Sequence, residues 1–272
     1  MRILRAGIQR LVFSAVLLVI LTGVAAAQKT LTVYAAASLT DAFHDLGKQF
    51  EKSHPGTEVL FNFAGSQALV AQLQEGAGAD VFASADSIWM QVAVDSGLAA
   101  DPEPFAHNLL VVIVPKNNPG RVDRLQDLGR RGTKLVLAAD AVPAGRYSRM
   151  VLRNIGAAPG FPADYVHRVL ANVVSNETSV KGVVAKVQLG EADAGVAYRS
   201  DVTPPVARVV KTITIPDNLN VLANYPIAVL KQSRQADLAR EFVALVVSSE
   251  GQLVMQQYNF IPVGAPAPAM SH

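Results

Sequence analysis

Short apolar runs alternate along this chain with stretches whose apolar positions recur every three or four residues. The strand-like runs are Leu31–Ala36, Glu58–Ala64, Asp80–Ala83, Leu109–Val114, Lys134–Ala138, Ala194–Tyr198, Val206–Ile215 and Tyr225–Leu230. Between them, Leu39, Ala42, Phe43, Leu46 and Phe50 fall on one helical face. So do Val180, Val183, Val184 and Val187, and later Phe242, Val243, Leu245 and Val246. This alternation predicts an α/β fold with mainly parallel strands. No fixed-period repeat interrupts it.

Two runs read as crossings between lobes. Leu109–Pro115 is followed by the loop signal Lys116-Asn117-Asn118-Pro119-Gly120, and Tyr225–Leu230 follows a polar turn at Asp217-Asn218. The expected organisation is two α/β lobes, residues 28–113 with 228–264 as the first and 114–227 as the second. Two hinge strands join them and a ligand cleft lies between them. The Pro- and Ala-rich end, 265–272, reads as a flexible tail.

The first residues change the compartment. Arg2, Arg5 and Arg10 precede the apolar run Leu11–Leu21 and the small-residue site Ala25-Ala26-Ala27. This is the pattern of a secretory signal peptide, residues 1–27, cut before Gln28 to export the mature product. The run is short for a bilayer span. The 272 residues include no cysteine, which excludes disulfides, thiol catalysis, thiolate metal sites and a lipid-bearing cysteine. The chain carries 24 Lys and Arg against 22 Asp and Glu, and the leader holds three of the arginines. The mature balance of 21 to 22 is a formal −1, far from the basic footprint of a nucleic-acid binder. Any anion held here is held by local geometry.

Two segments supply that geometry in the first lobe. Leu31–Ala37 runs into Ser38-Leu39-Thr40, and Val59–Ala64 runs into Gly65-Ser66-Gln67. A serine at a strand-to-helix junction leaves a hydroxyl and unpaired N–H groups at the positive end of a helix dipole. In the second lobe, Pro143 fits a first helical turn and frees the N–H groups of Ala144 and Gly145. Asn176-Glu177-Thr178-Ser179-Val180 opens another helix, with Thr178 or Ser179 as cap and Val180 carrying a free N–H. The strand Ala194–Tyr198 ends in a phenol that can donate into a cleft.

With these residues the chain resembles the periplasmic molybdate-binding proteins of molybdate ABC importers. The matching segments are Ala35-Ala36-Ala37-Ser38-Leu39-Thr40, Phe63-Ala64-Gly65-Ser66, Ala79–Asp86, Val142-Pro143-Ala144-Gly145 and Gly190–Asp201. They occur in family order over roughly Leu31–Val263. The resemblance implies a class II periplasmic-binding-protein fold that closes on a tetrahedral oxyanion, molybdate or tungstate. It places the ligand on Ser38, Ser66, Ala144, Val180 and Tyr198, which hold the oxyanion without ligating the metal directly. It also implies the periplasm as the destination, and a monomer that delivers to a membrane permease, with no cofactor, no nucleic-acid partner and no enzymatic activity. Relatives carry a run of serines where Gly65 and Gln67 flank a single Ser66. Arg146, beside Ala144, is expected to face solvent.

Blander readings apply to each residue alone. A junction serine is ordinarily an N-cap, a strand-end tyrosine ordinarily packs, and a Val-Pro-Ala-Gly turn is ordinarily a turn. Trp89 and Met90 read as core or interlobe packing. His44, His54, His107, His167 and His272 lack metal-ligand spacing and read as structural or surface groups. A serine hydrolase is the rival from another class. Neither serine sits in Gly-x-Ser-x-Gly, no paired carboxylates or P-loop occur, and Gly76-Ala77-Gly78 is not a dinucleotide fingerprint. The other rival is a binder of a different tetrahedral oxyanion, such as sulfate, on the same fold.

Overall fold

The computed structural model describes residues 28–264. The expected signal peptide, 1–27, and tail, 265–272, lie outside the described residues. The chain opens with β1 (Lys29–Ala36), a 3-10 turn at Ala37–Leu39, α1 (Thr40–Ser53), β2 (Thr57–Ala64), α2 (Ser66–Gln74), β3 (Val81–Ala83), α3 (Ser87–Asp95) and β4 (Glu103–Asn108). It continues through β5 (Leu110–Pro115), β6 (Leu135–Ala138), α4 (Pro143–Ala157), α5 (Tyr165–Ala171), β7 (Val173–Glu177), α6 (Val180–Gln188), β8 (Ala194–Tyr198), α7 (Pro204–Val209) and β9 (Val210–Thr214). It ends with β10 (Ala223–Val229), α8 (Ala236–Val247), α9 (Ser249–Gln257) and β11 (Ile261–Pro262). Among the described residues no helix is long and apolar enough to cross a membrane.

The strands form two sheets, in the orders β11-β4-β10-β3-β1-β2 and β7-β6-β8-β5-β9. Both are mixed, not mainly parallel. β1 pairs in parallel with β2 and β3, and β6 with β7 and β8. β10, β11 and β5 pair antiparallel with their neighbours. For β5 and β10 the reason is topological: each arrives from the other sheet and not through a helical crossover, which is what makes neighbours parallel.

The two expected crossing strands each belong to a single sheet. β5 pairs only with β8 and β9, and β10 only with β3 and β4. The chain therefore passes between sheets at Leu109 and again between Thr214 and Ala223. The expected division after 113 and before 228 cuts through β5 and β10. The expected strand Val206–Ile215 also divides, because Pro204 and Pro205 start the short helix α7 before β9.

Burial follows the patterns that predict the elements. All six residues of β5 are buried, as a continuous apolar run requires of an interior strand. In α1, Ala42, Phe43, Leu46 and Phe50 are buried. The Phe43 ring meets Phe105 and Phe242 at centroid distances of 5.8 and 6.0 Å, so the first helix is fixed against β4 and the late helix α8.

Candidate functional site

β1 and β2 lie in parallel register with Ala36 opposite Ala64, so the turns that follow them emerge side by side. Ser38 sits in the 3-10 turn after β1, and Ser66 is the first residue of α2. In the second sheet, α4 follows β6, α6 follows β7, and β8 ends at Tyr198. These ends face a cavity of about 10 Å³, lined by Ser38, Ser66, Ala144, Val180 and Tyr198 with Ala36, Ala37, Ala64, Gly65, Ala85, Val142 and Pro143. The structure thus brings together all five residues singled out in the sequence. None of the lining side chains is charged.

The polar groups around the cavity are arranged to donate. The Ser66 hydroxyl oxygen, fully buried, accepts the Ala85 N–H at 3.0 Å, which leaves its own proton free. The Ser38 hydroxyl lies 3.0 Å from the Tyr225 hydroxyl. The Tyr198 hydroxyl is buried with no hydrogen-bond partner, and burial raises its pKa well above the usual phenol value, so it keeps its proton.

Helix starts supply the rest. Ala36, Gly65, Val142 and Ser179 precede the four helical turns at the cavity, and none contributes a side-chain cap. First-turn N–H groups there lack a side-chain partner and carry the positive helix ends. Ser179 holds the N-cap position, but its hydroxyl is not used as the cap the sequence suggests. Pro143 occupies the first turn of α4 as expected. Gly145 follows because a Cβ there would strike the carbonyls of Ala138 and Ala139, so only glycine lets α4 sit over the end of β6.

Charged groups form a second layer that ties the sheets together. Arg146 is only partly exposed: its guanidinium turns inward to pair with Asp86, which is 1% exposed. Burial raises the Asp86 pKa even so, against the pull of the Trp89 N–H and of Arg146. Lys181 reaches Asp41 at 2.9 Å and Asp201 at 3.5 Å. Burial pushes fully buried Asp201 up to about 6, with Lys181 opposing. Two neutral contacts add to this: Trp89 Nε1 donates to the Ala141 carbonyl at 2.7 Å, and Gln67 Nε2 to the Thr178 carbonyl at 2.9 Å. Met90 is buried and Trp89 packs, partly buried, against the same apolar cluster, as expected. His44 meets Phe61 and Phe63 edge-on and His54 pairs with Glu241. Among the described residues no group of three metal-ligating side chains occurs.

Sequence reasoning missed Tyr225, Asn108 and the Asp86–Arg146 pair. Tyr225 and Asn108 flank the two passages between sheets, where only the fold brings them to Ser38.

A family model for bacterial extracellular solute-binding proteins matches residues 31–261. The chain belongs to that family. It is 40% identical over 233 residues to the molybdate-binding protein ModA of Mycobacterium tuberculosis strain H37Rv, covering 85% of this chain and 84% of the relative. Among solved structures it resembles the substrate-binding domain of a putative molybdenum ABC transporter from Clostridium difficile. That match has a TM-score of 0.63 and 27% identity, and covers 86% of this chain and 99% of the other. The Azotobacter vinelandii periplasmic molybdate-binding protein has a similar fold, with a TM-score of 0.73 at 21% identity over 85% of this chain and 98% of that one. The fold is accordingly that of the periplasmic binding proteins, and the cavity lies where this extracellular solute-binding protein's two sheets meet.

Proposed function

We propose that the chain captures molybdate in the periplasm, as a monomer, for delivery to the membrane permease of an ABC importer. The observation that carries this reading is one small cavity with no charged side chain in its lining, where two serine hydroxyls, a tyrosine hydroxyl and the starts of helices from both sheets meet. Molybdate at neutral pH is a dianion with four acceptor oxygens and no proton. Hydroxyl and amide donors satisfy it, whereas a carboxylate would repel it. Hydrogen phosphate would point its proton at other donors, a cost of about 1–3 kcal/mol for each group left unsatisfied. Sulfate shares the charge but is smaller, so size must exclude it. Tungstate matches molybdate in charge and shape and belongs to the same ligand class.

The name of the 40% identical relative supports the same ligand. Capture without turnover is favoured by the partners of the two serines. One hydroxyl meets a phenol and the other a backbone N–H, and neither meets an imidazole or carboxylate that would make it a nucleophile. The signal-peptide pattern supports export. The two passages between sheets give the lobes a hinge, with closure on the ion presenting both lobes to the permease.

Calorimetric titration with molybdate, tungstate, sulfate and phosphate tests the reading. Molybdate and tungstate should bind one to one and stabilise the fold by about 2.7 kcal/mol at a hundredfold excess over Kd. Sulfate should bind weakly and phosphate not at all. No heat and no thermal shift with molybdate would refute it.

A further inference from the structure

A cavity that is to hold a bare dianion needs its hydroxyls to point their protons inward, which the lining alone does not ensure. A serine hydroxyl both donates and accepts, and it rotates freely unless its oxygen is engaged. For Ser66 the Ala85 N–H settles the direction, because a backbone amide can only donate. Ser38 meets another hydroxyl, that of Tyr225, and either could be the donor.

Asn108 breaks the tie. Its Oδ1 accepts the Leu109 N–H at 3.0 Å, which fixes the orientation of the amide and leaves Nδ2 on the other side. Nδ2 donates to Ser200 Oγ at 2.8 Å and makes a longer contact of 3.5 Å to the Tyr225 oxygen. A phenol oxygen engaged by an N–H turns its own proton elsewhere, and Ser38 Oγ lies 3.0 Å away to accept it. Asn108 and Tyr225 are both fully buried, so water does not compete for these bonds.

We propose that Tyr225 is a positioning residue for the oxyanion site: held by Asn108, it donates to Ser38 Oγ and so turns the Ser38 proton toward the bound ion. The direction runs from Asn108 through Tyr225 and Ser38 to the anion. The opposite direction would present a serine lone pair to a negative charge. Tyr225 acts through Ser38 and does not itself touch the ligand. This proposal rests on the molybdate reading above.

A double-mutant cycle tests it, with molybdate affinity measured by calorimetry in the parent, Tyr225→Phe, Ser38→Ala and the double variant. Phenylalanine keeps the ring that meets Phe105, Tyr198 and Phe260 edge-on. Tyr225→Phe should weaken binding about three- to tenfold, the net worth of one hydrogen bond. In the Ser38→Ala background the same change should alter affinity less than twofold, because the group it orients is gone. A purely packing role would give the same loss in both backgrounds and would overturn the proposal, as would full affinity in Tyr225→Phe. Failure of the parent to bind molybdate would instead overturn the functional reading on which the proposal stands.

Discussion

Gly65→Ala separates closure around the ligand from stability of the fold. Gly65 sits at φ −63° and ψ 140°, a conformation that alanine adopts without strain. Its added Cβ would lie 2.7 Å from the Thr178 carbonyl oxygen, which belongs to the other sheet's side of the cavity. Ordinary contact begins at 3.4 Å, so the two sides must part by about 0.7 Å. The Gln67 amide lies in the same space and would also be driven off Thr178. Overpacking of this kind costs about 1–3 kcal/mol. That cost falls on the closed arrangement only, and corresponds to about 5- to 150-fold weaker binding. Without ligand the variant should be as stable as the parent, or gain about 0.4–1 kcal/mol from a less flexible unfolded chain. Calorimetric titration with molybdate, beside thermal unfolding without it, reads both quantities. Affinity within twofold of the parent, or a lowered Tm in the absence of ligand, would refute the reasoning.

Ser66→Ala should weaken molybdate binding by about 1.5–3 kcal/mol, because a donor to a charged partner is lost. It should also cost about 1–3 kcal/mol of stability, since the Ala85 N–H loses its buried acceptor; urea unfolding that matches the parent would contradict this. Arg146→Ala leaves buried Asp86 with only the backbone N–H groups of Trp89 and Ile88 as donors. Stability should fall by about 3 kcal/mol, the lower end for breaking a buried pair because Arg146 is partly exposed, and a loss under 1 kcal/mol in urea would count against it. Asp201 titrates at about 6 in the fold against 3.8 ordinarily, so the folded state binds its proton more tightly. Its contribution to stability therefore declines as pH rises from about 4 to about 6. Asp201→Asn should remove that decline, and equal pH slopes for variant and parent in thermal unfolding would show the carboxyl is not the source.

That Ser38, Ser66, Ala144, Val180 and Tyr198 sit at strand ends and helix starts was legible because those signals are local. An apolar run that stops at Ser38, Ser66 or Pro143 announces a strand end and a helix start within a few residues. Tyr198 likewise closes its own strand. What was not legible depends on which segments meet. The run Leu110–Pro115 is equally apolar in either sheet, so pattern alone could not place the passage at Leu109. β4, with Pro104 and His107, and β7, with Ser175, Asn176 and Glu177, are too polar to read as strands and are defined by their neighbours. Asp86 and Arg146 stand 60 residues apart, and nothing near either marks the pair. The helix α7 is a different case: Pro204-Pro205 was a visible start signal immediately before a run read as strand.

The two sheets differ in how they are threaded. Every strand of the second comes from the unbroken stretch Leu110–Thr214, whereas the first combines Lys29–Asn108 with Ala223–Pro262. β10 stands in the interior of that sheet, between β4 and β3. A chain emerging N-terminus first can therefore finish its middle half while its opening half still has a gap at the centre. A polypeptide stopped ahead of residue 223 would keep both serines yet leave β1, β2 and β3 separated from β4. Assembly of the candidate site is in this way tied to arrival of nearly the whole polypeptide.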